Sequence, residues 1–335
     1  AASPFQGKVP PPAASVKSVG ASRTIPATPS GRSTRADAPP EANVATSEKK
    51  SRSGNCGLVL QFAAEPTDAD VPPAHFLPTH CGRTPELMAH AVRFNRFIPT
   101  LNTYLNYRNH RKMTIIDGNV GYMGGINLAD EYINKKVRFG YWKDTGVRIE
   151  GEAVWSLTSM FLSMWNYIVH STEDYSRFMP AQHQKAPFEN DGFVQPYGDS
   201  PLDHENVGEN IYLNIINRAK NYVYIFTPYL IIDHEMLTAL CNAAKDGVDV
   251  RIVTPGIPDK KMIFLLTQSY YAPLIQSGVK IYQYTPGFIH AKCFVCDDEI
   301  ATVGSVNLDF RSLYLHFECG VFFYRSAVVA QVYTA

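Results

Sequence analysis

The sequence predicts an α/β fold built from two related halves. Two observations carry that expectation. Downstream of residue 206, strand-like apolar runs alternate with helices of ordinary length, the signature of a parallel or mixed sheet with helices on its faces. A five-position pattern also occurs twice in the chain, starting at His110 and again at His290. With 335 residues, 45% hydrophobic and 12% aromatic, the chain has enough apolar material to fill real cores. A wholly disordered protein is excluded.

Taken in order, residues 1–50 hold eight of the 23 prolines, seven basic against three acidic residues, and one aromatic, Phe5. Such a stretch cannot bury a core and is expected to be disordered. Its Ala, Ser, Pro and Thr with sparse Arg resemble a transit peptide or a linker, without the apolar stretch of a secretory signal. Because the chain begins at Ala1, a fragment with an aberrant start is the simpler expectation. From about Val92 the texture changes to apolar runs separated by turn residues. The charge-free segment 153–169 carries Trp155, Met160, Phe161, Met164, Trp165 and Ile168. Five interspersed polar residues and a length of 17 favour a packed core helix over an interfacial one.

Residues 208–220 have helical spacing through Ile211, Leu213, Ile215 and Ile216, and a strand follows at 222–226. Asp233 is the expected N-cap of a helix that runs to Lys245 and stops near Gly247. Residues 248–253 read as a second buried strand, 260–276 as a third helical region and 279–282 as a third strand.

The repeated pattern is His, any residue, Lys, four residues, Asp, six residues, then Gly-x-x-Asn. It reads His110, Lys112, Asp117, Gly124, Asn127 in one copy and His290, Lys292, Asp297, Gly304, Asn307 in the other. Acidic residues follow at comparable places, Asp144 and Glu318, offset by a six-residue insertion at 135–140. Upstream, 92–97 parallels 279–284. A tandem duplication with two half-sites is the reading.

On a strand, residues two apart face the same side, so the His and Lys of each copy project together. Two facing copies supply two imidazoles, two ammoniums and two carboxamides. Ammonium and amide donors suit the non-bridging oxygens of a phosphodiester. One neutral imidazole attacks phosphorus while the other, protonated, delivers a proton to the leaving alkoxide. A phosphohistidine intermediate and a bell-shaped pH dependence are expected, with no metal and no cofactor.

Both copies resemble the HKD signature of the phospholipase D superfamily. The flanks NYRNHRK, GGINLADEY, TPYLI, PGIPDKK, PGFIHAK and NLDFRSLYLHFE resemble bacterial cardiolipin synthases, over roughly residues 90–325. That resemblance implies a phospholipase D fold of two pseudo-symmetric α/β/α halves with mixed sheets. Residues 1–90 would be the disordered or aberrant region, 91–190 a partial first half and 191–335 the second half. It also implies transfer of a phosphatidyl group between two phosphatidylglycerol molecules, giving cardiolipin and glycerol, at the cytoplasmic face of a bacterial membrane. Phosphatidylglycerol and membrane lipids are then the partners. The membrane anchor usual in the family is not found in this sequence.

Carried over by position, His110, Lys112, Asp117, His290, Lys292 and Asp297 form the catalytic set, with His110 the nucleophile by the family's usual assignment. Within it the two aspartates are expected to brace the motif loops rather than touch substrate. Lys112, Asn127, Lys292 and Asn307 match phosphate-binding positions, and Asp144 and Glu318 match acids that orient the histidines. Gly125 stands where the second copy has Ser305. The first half is expected to lack strands, leaving a sheet edge uncovered.

Other features weigh less. Lys plus Arg equals Asp plus Glu, 31 each, so no global positive field recruits nucleic acid. Six scattered cysteines make a reducing compartment the simpler expectation. Cys293 and Cys296 sit three apart on a strand and face opposite sides, which argues against a metal pair. His316 is expected on a strand surface, and His75, His80 and His90 match no ligand spacing. Arg108, Arg111 and Arg311 either bind lipid phosphate or solvate loops, and Tyr229 either lines the headgroup path or packs a turn. A water-using phosphodiesterase and an inactive lipid-binding fragment remain as alternatives.

Overall fold

The computed structural model describes residues 107–172, 174–179 and 192–335, with the short segments 16–18, 58–60 and 94–95. At its centre lies a mixed sheet. Tyr222–Phe226, Asp249–Pro255 and Lys280–Tyr284 run parallel, matching the three expected strands to within two residues at each end. Beyond Tyr222–Phe226 the sheet turns antiparallel through Cys293–Cys296, Ile300–Gly304, His316–Tyr324 and Phe193–Asp199. The parallel part comes from strand–helix–strand crossovers and the antiparallel part from the tight turn after the second motif strand.

One face of this sheet is covered by helices Val207–Arg218, His234–Lys245 and Tyr271–Gln276. Their apolar stripes, including Tyr212, Ile216, Leu240 and Leu274, close on Val223, Ile252, Ile281 and Phe294. Asp233 caps as expected, its Oδ1 accepting from the Met236 amide at 2.8 Å, and Gly247 stops that helix with φ of +94°. The expected helical region 260–276 is instead two helices, Lys261–Ser269 and Tyr271–Gln276. Pro273 has no N–H for the Ser269 carbonyl and its ring would clash there, so the first helix cannot continue.

The first half holds a four-stranded antiparallel sheet in the order Leu58–Leu60, Met113–Ile116, Val120–Gly124, Gly146–Glu150. The edge expected to be bare is therefore paired, by a segment of the region placed outside both halves. A second such segment, Val16–Ser18, adds an antiparallel edge to Lys280–Tyr284. The rest of 1–90 lies outside the described residues, as do the expected strand 92–97 apart from residues 94 and 95, and His75, His80 and His90.

Helix Val154–Val169 is a core helix. It buries Val154, Leu157, Phe161 and Leu162 in an apolar cluster shared by both halves. Met113, Ile115, Met123 and Ile149 from the first half meet Cys293, Val295, Val303, Val321 and Phe323 from the second. Cys293 faces this cluster and Cys296 the opposite one, as their spacing requires. Each fully buried side chain here contributes about 1.5–3 kcal/mol. The halves are thus joined by a common core, which positions the two motif strands against each other.

Candidate active site

Each motif enters the site hydrogen-bonded to the other half. Arg108–Asn109 pairs in parallel with residues 316–317, and the His110 amide donates to the Phe317 carbonyl at 2.9 Å. In mirror fashion Tyr141–Lys143 pairs in parallel with Gly287–Ile289, and the His290 amide donates to the Lys143 carbonyl at 2.7 Å. The next residue on each accepting strand is the acid. Glu318 therefore meets His110, with Nδ1 2.9 and 3.0 Å from its two oxygens, and Asp144 meets His290, with Nδ1 2.7 Å from Oδ2. The orienting acids are exchanged between halves. The inserted residues 135–140 lead directly into the strand Tyr141–Lys143, which Asp144 follows.

Both histidines are buried, at 5% and 6% exposure. Burial lowers the His110 pKa, and burial together with the Lys292 ammonium lowers that of His290 to about 4. Burial alone would raise Glu318, but its pairing with His110 outweighs it and holds the carboxyl well below its usual range. A carboxylate at Nδ1 selects the tautomer protonated there and leaves Nε2 as the free nitrogen.

The histidines share a cavity of about 980 Å³, with Lys112, Asn127 and Asn307 also in its walls. Trp142, Phe288, Ile126 and Leu128 supply apolar wall, and Arg138 and Lys260 supply further positive charge. The Lys112 ammonium donates to the His110 carbonyl at 2.6 Å. Lys292 differs: it is 1% exposed, is not among the cavity walls, and lies 2.8 Å from His290 Nδ1 and 2.5 Å from the His290 carbonyl. Asn127 donates to the Tyr132 hydroxyl at 2.6 Å, while Asn307 is buried with its Oδ1 unsatisfied.

Asp117 and Asp297 are separated from this cluster, which corrects their place in the catalytic set. Each occupies a left-handed turn, φ +52°, beyond a four-residue motif strand, about 13 Å along the chain direction from the histidine end. Asp297 accepts the amides of Lys220, Asn221 and Tyr222 at 2.7–2.9 Å and so ties the motif turn to the neighbouring strand. Asp117 is exposed, its carbonyl accepting from Asn119.

Several supporting residues escape a reading by motif. Ser305 Oγ and Ser312 Oγ donate to the two oxygens of Glu318, each at 2.5 Å, and Asp309 holds Ser312 by its amide at 2.9 Å. Arg111 neither solvates a loop nor reaches the cavity. Buried at 7% exposure, it donates to the carbonyls of Glu318 and Asp199 at 3.0 and 2.9 Å. Tyr229 does line the cavity, with its hydroxyl on Asp259 at 2.7 Å. His316 is not a surface residue: at 4% exposure it lies beside Glu318 and His110. Its placement two residues before Glu318 on one strand was the available signal, since such residues share a face. The ligand atoms of His110, His316 and Glu318 lie within 4.8 Å of one another, a spacing a metal ion accepts. Both Glu318 oxygens, however, already take donors from His110, Ser305 and Ser312.

Among the described residues no helix is long and apolar enough to cross a membrane. Residues 212–335 match the family described as cardiolipin synthase, PLD-like domain. An uncharacterized protein of Streptococcus mutans is 54% identical over 240 residues, 71% of this chain and 51% of that protein. Cardiolipin synthases of Alkalihalophilus pseudofirmus and Listeria innocua are 40% and 41% identical over 235 and 237 residues, each 70% of this chain, and 46% and 48% of those proteins. The chain thus spans about half the length of the curated relatives it matches. The crystal structure of a phosphatidylserine synthase from Haemophilus influenzae shares the fold, with a TM-score of 0.51 at 16% identity, covering 69% of this chain and 62% of that one. The chain thus resembles the cardiolipin synthases over about 70% of its length, and its residues 212–335 match their PLD-like domain.

Proposed function

We propose that this protein transfers a phosphatidyl group between two phosphatidylglycerol molecules through a phosphohistidine, at the cytoplasmic face of a bacterial membrane. The observation that carries the reading is the pair of imidazoles in one cavity, each with Nδ1 on a carboxylate of the opposite half. His110 Nε2 attacks phosphorus, the bond from phosphorus to the glycerol headgroup oxygen breaks, and protonated His290 gives that oxygen its proton. A hydroxyl of the second phosphatidylglycerol then attacks, returns its proton to His290 and displaces His110. Lys112, Asn127 and Asn307 hold the phosphoryl oxygens from the cavity wall, and Lys292 acts from behind His290. Burial keeps both imidazoles neutral in the free protein. The phosphodiester anion, once seated beside them, favours protonation of one. The mixed apolar and cationic wall suits an amphiphile with an anionic headgroup.

Purified protein incubated with phosphatidylglycerol vesicles, with products read by mass spectrometry, tests the proposal. Cardiolipin and glycerol together are expected. Phosphatidic acid without cardiolipin would replace transfer by hydrolysis, and absence of any product would leave a binding fragment. An adduct trapped in His290→Asn and lost in His110→Asn is expected if His110 is the nucleophile.

A further inference from the structure

The two half-sites are not equivalent at one pair of positions. Two residues before each exchanged acid, the first half has Trp142 and the second has His316. The Trp142 ring lies 5.8 Å from His290 and the His316 ring 5.2 Å from His110, so each sits against the histidine that its own strand receives. The acids differ in the same sense. Asp144 takes the Thr145 amide at 2.8 Å besides His290. Glu318 takes His110, Ser305 and Ser312, and His316 Nδ1 stands 3.4 Å from its Oε1.

A wholly buried imidazole whose two nitrogens make no hydrogen bond is costly, about 1–3 kcal/mol per unsatisfied group. Phe or Leu would fill the same space without that cost. Nδ1 stands 3.4 Å from Oε1 of the Glu318 carboxylate, which is itself 0% exposed. His316 is absent from the cavity walls, so it does not reach substrate.

We infer that His316 is a positioning residue for His110: it donates Nδ1–H to Glu318, completing a ring of four donors that holds this carboxylate as an acceptor fixed on Nδ1 of His110. Through that carboxylate it keeps the Nε2 lone pair of His110 aimed into the cavity. The inference rests on the proposed role of His110 as nucleophile. It adds an imidazole that belongs to neither HKD motif, and it gives the two half-sites different proton environments.

The test compares His316→Asn, whose amide N–H takes the place of Nδ1–H, with His316→Phe, which fills the space without a donor. His316→Met serves as a second donor-free variant should Phe melt the fold. With phosphatidylglycerol vesicles, Asn is expected to keep kcat within about threefold of wild type. Phe or Met is expected to lose about tenfold or more in kcat with KM unchanged, the scale of outer-shell support losses. Equal losses in Asn and Phe, or a better Phe than Asn, would make His316 a packing residue and overturn the inference. Nitrogen-15 NMR of the His110 ring at pH 8 supplies a readout independent of turnover. The Nδ1–H tautomer should dominate in wild type and Asn and give way to a mixture in Phe or Met; one tautomer throughout would also overturn it. If wild type makes no lipid product, the proposed reaction falls, while the NMR comparison still decides the role of His316.

Discussion

Asp144 Oδ2 lies 2.7 Å from His290 Nδ1, and the two residues come from opposite halves of the chain. Glu318 and His110 repeat the exchange in the other direction. Neither half contains a complete histidine–carboxylate pair, so the shared apolar core is what assembles the chemistry.

Loss of either orienting acid should therefore cost turnover without emptying the cavity. Asp144→Asn and Glu318→Gln are each expected to lower kcat by about 10⁴-fold, the order seen when a histidine loses its tautomer-fixing carboxylate. Initial rates of cardiolipin formation measure this, and a loss below tenfold in both would contradict orientation through Nδ1. Glu318→Ala should also melt earlier than Asp144→Ala, because it strands His110, Ser305 and Ser312 as buried donors.

Gly125 should not tolerate the serine found at its counterpart, Ser305. A Cβ at 125 would stand 2.3 Å from Asp144 Oδ1, whereas Ser305 lies close enough to Glu318 to donate to it. Gly125→Ser is expected to push Asp144 off His290 and reduce kcat by tenfold or more, at a melting temperature near wild type. Side-by-side rates and melts of the two proteins check it.

Stability should fall in mild acid through His290. Its folded pKa, about 4, is below the ordinary 6.5, so the unfolded chain binds the proton more tightly. The stabilisation is present above pH 6.5 and is lost as pH falls towards 4, by about 3 kcal/mol. Urea unfolding at pH 7 and pH 4.5 should show wild type losing more stability than His290→Asn over that interval. Equal losses would mean that His290 is not held neutral by the fold.

Asp297→Ala should separate bracing from chemistry. It removes the acceptor of three backbone amides and is expected to cost about 1–3 kcal/mol of stability, while kcat per folded molecule stays within a few-fold of wild type. A kcat loss comparable to that of His290→Asn would return Asp297 to the catalytic set.

Much of this site is legible in the residues. His110, Lys112, Asn127, His290, Lys292 and Asn307 follow from a pattern of residue types that recurs at the same spacing in both halves. The second-half strands and the Asp233 cap follow from local periodicity and capping chemistry. Ser312 and Arg111 were not legible, since each acts through a partner distant in sequence or through a backbone carbonyl, and such contacts leave no local period. His316, expected on a strand surface, is buried because it shares a strand face with Glu318.

Residue identity and spacing alone thus establish the duplication and the donors and acceptors that a phosphodiester needs, and they carry the resemblance to the phospholipase D superfamily. Which acid serves which histidine is a different matter, because Asp144 and Glu318 stand in equivalent places and either could face either motif. That choice is made when residues 108–109 pair with the strand that holds Glu318 and residues 141–143 with the strand that leads to His290. Parallel pairing between distant segments depends on the whole core that brings them together, and no local pattern of residues encodes it.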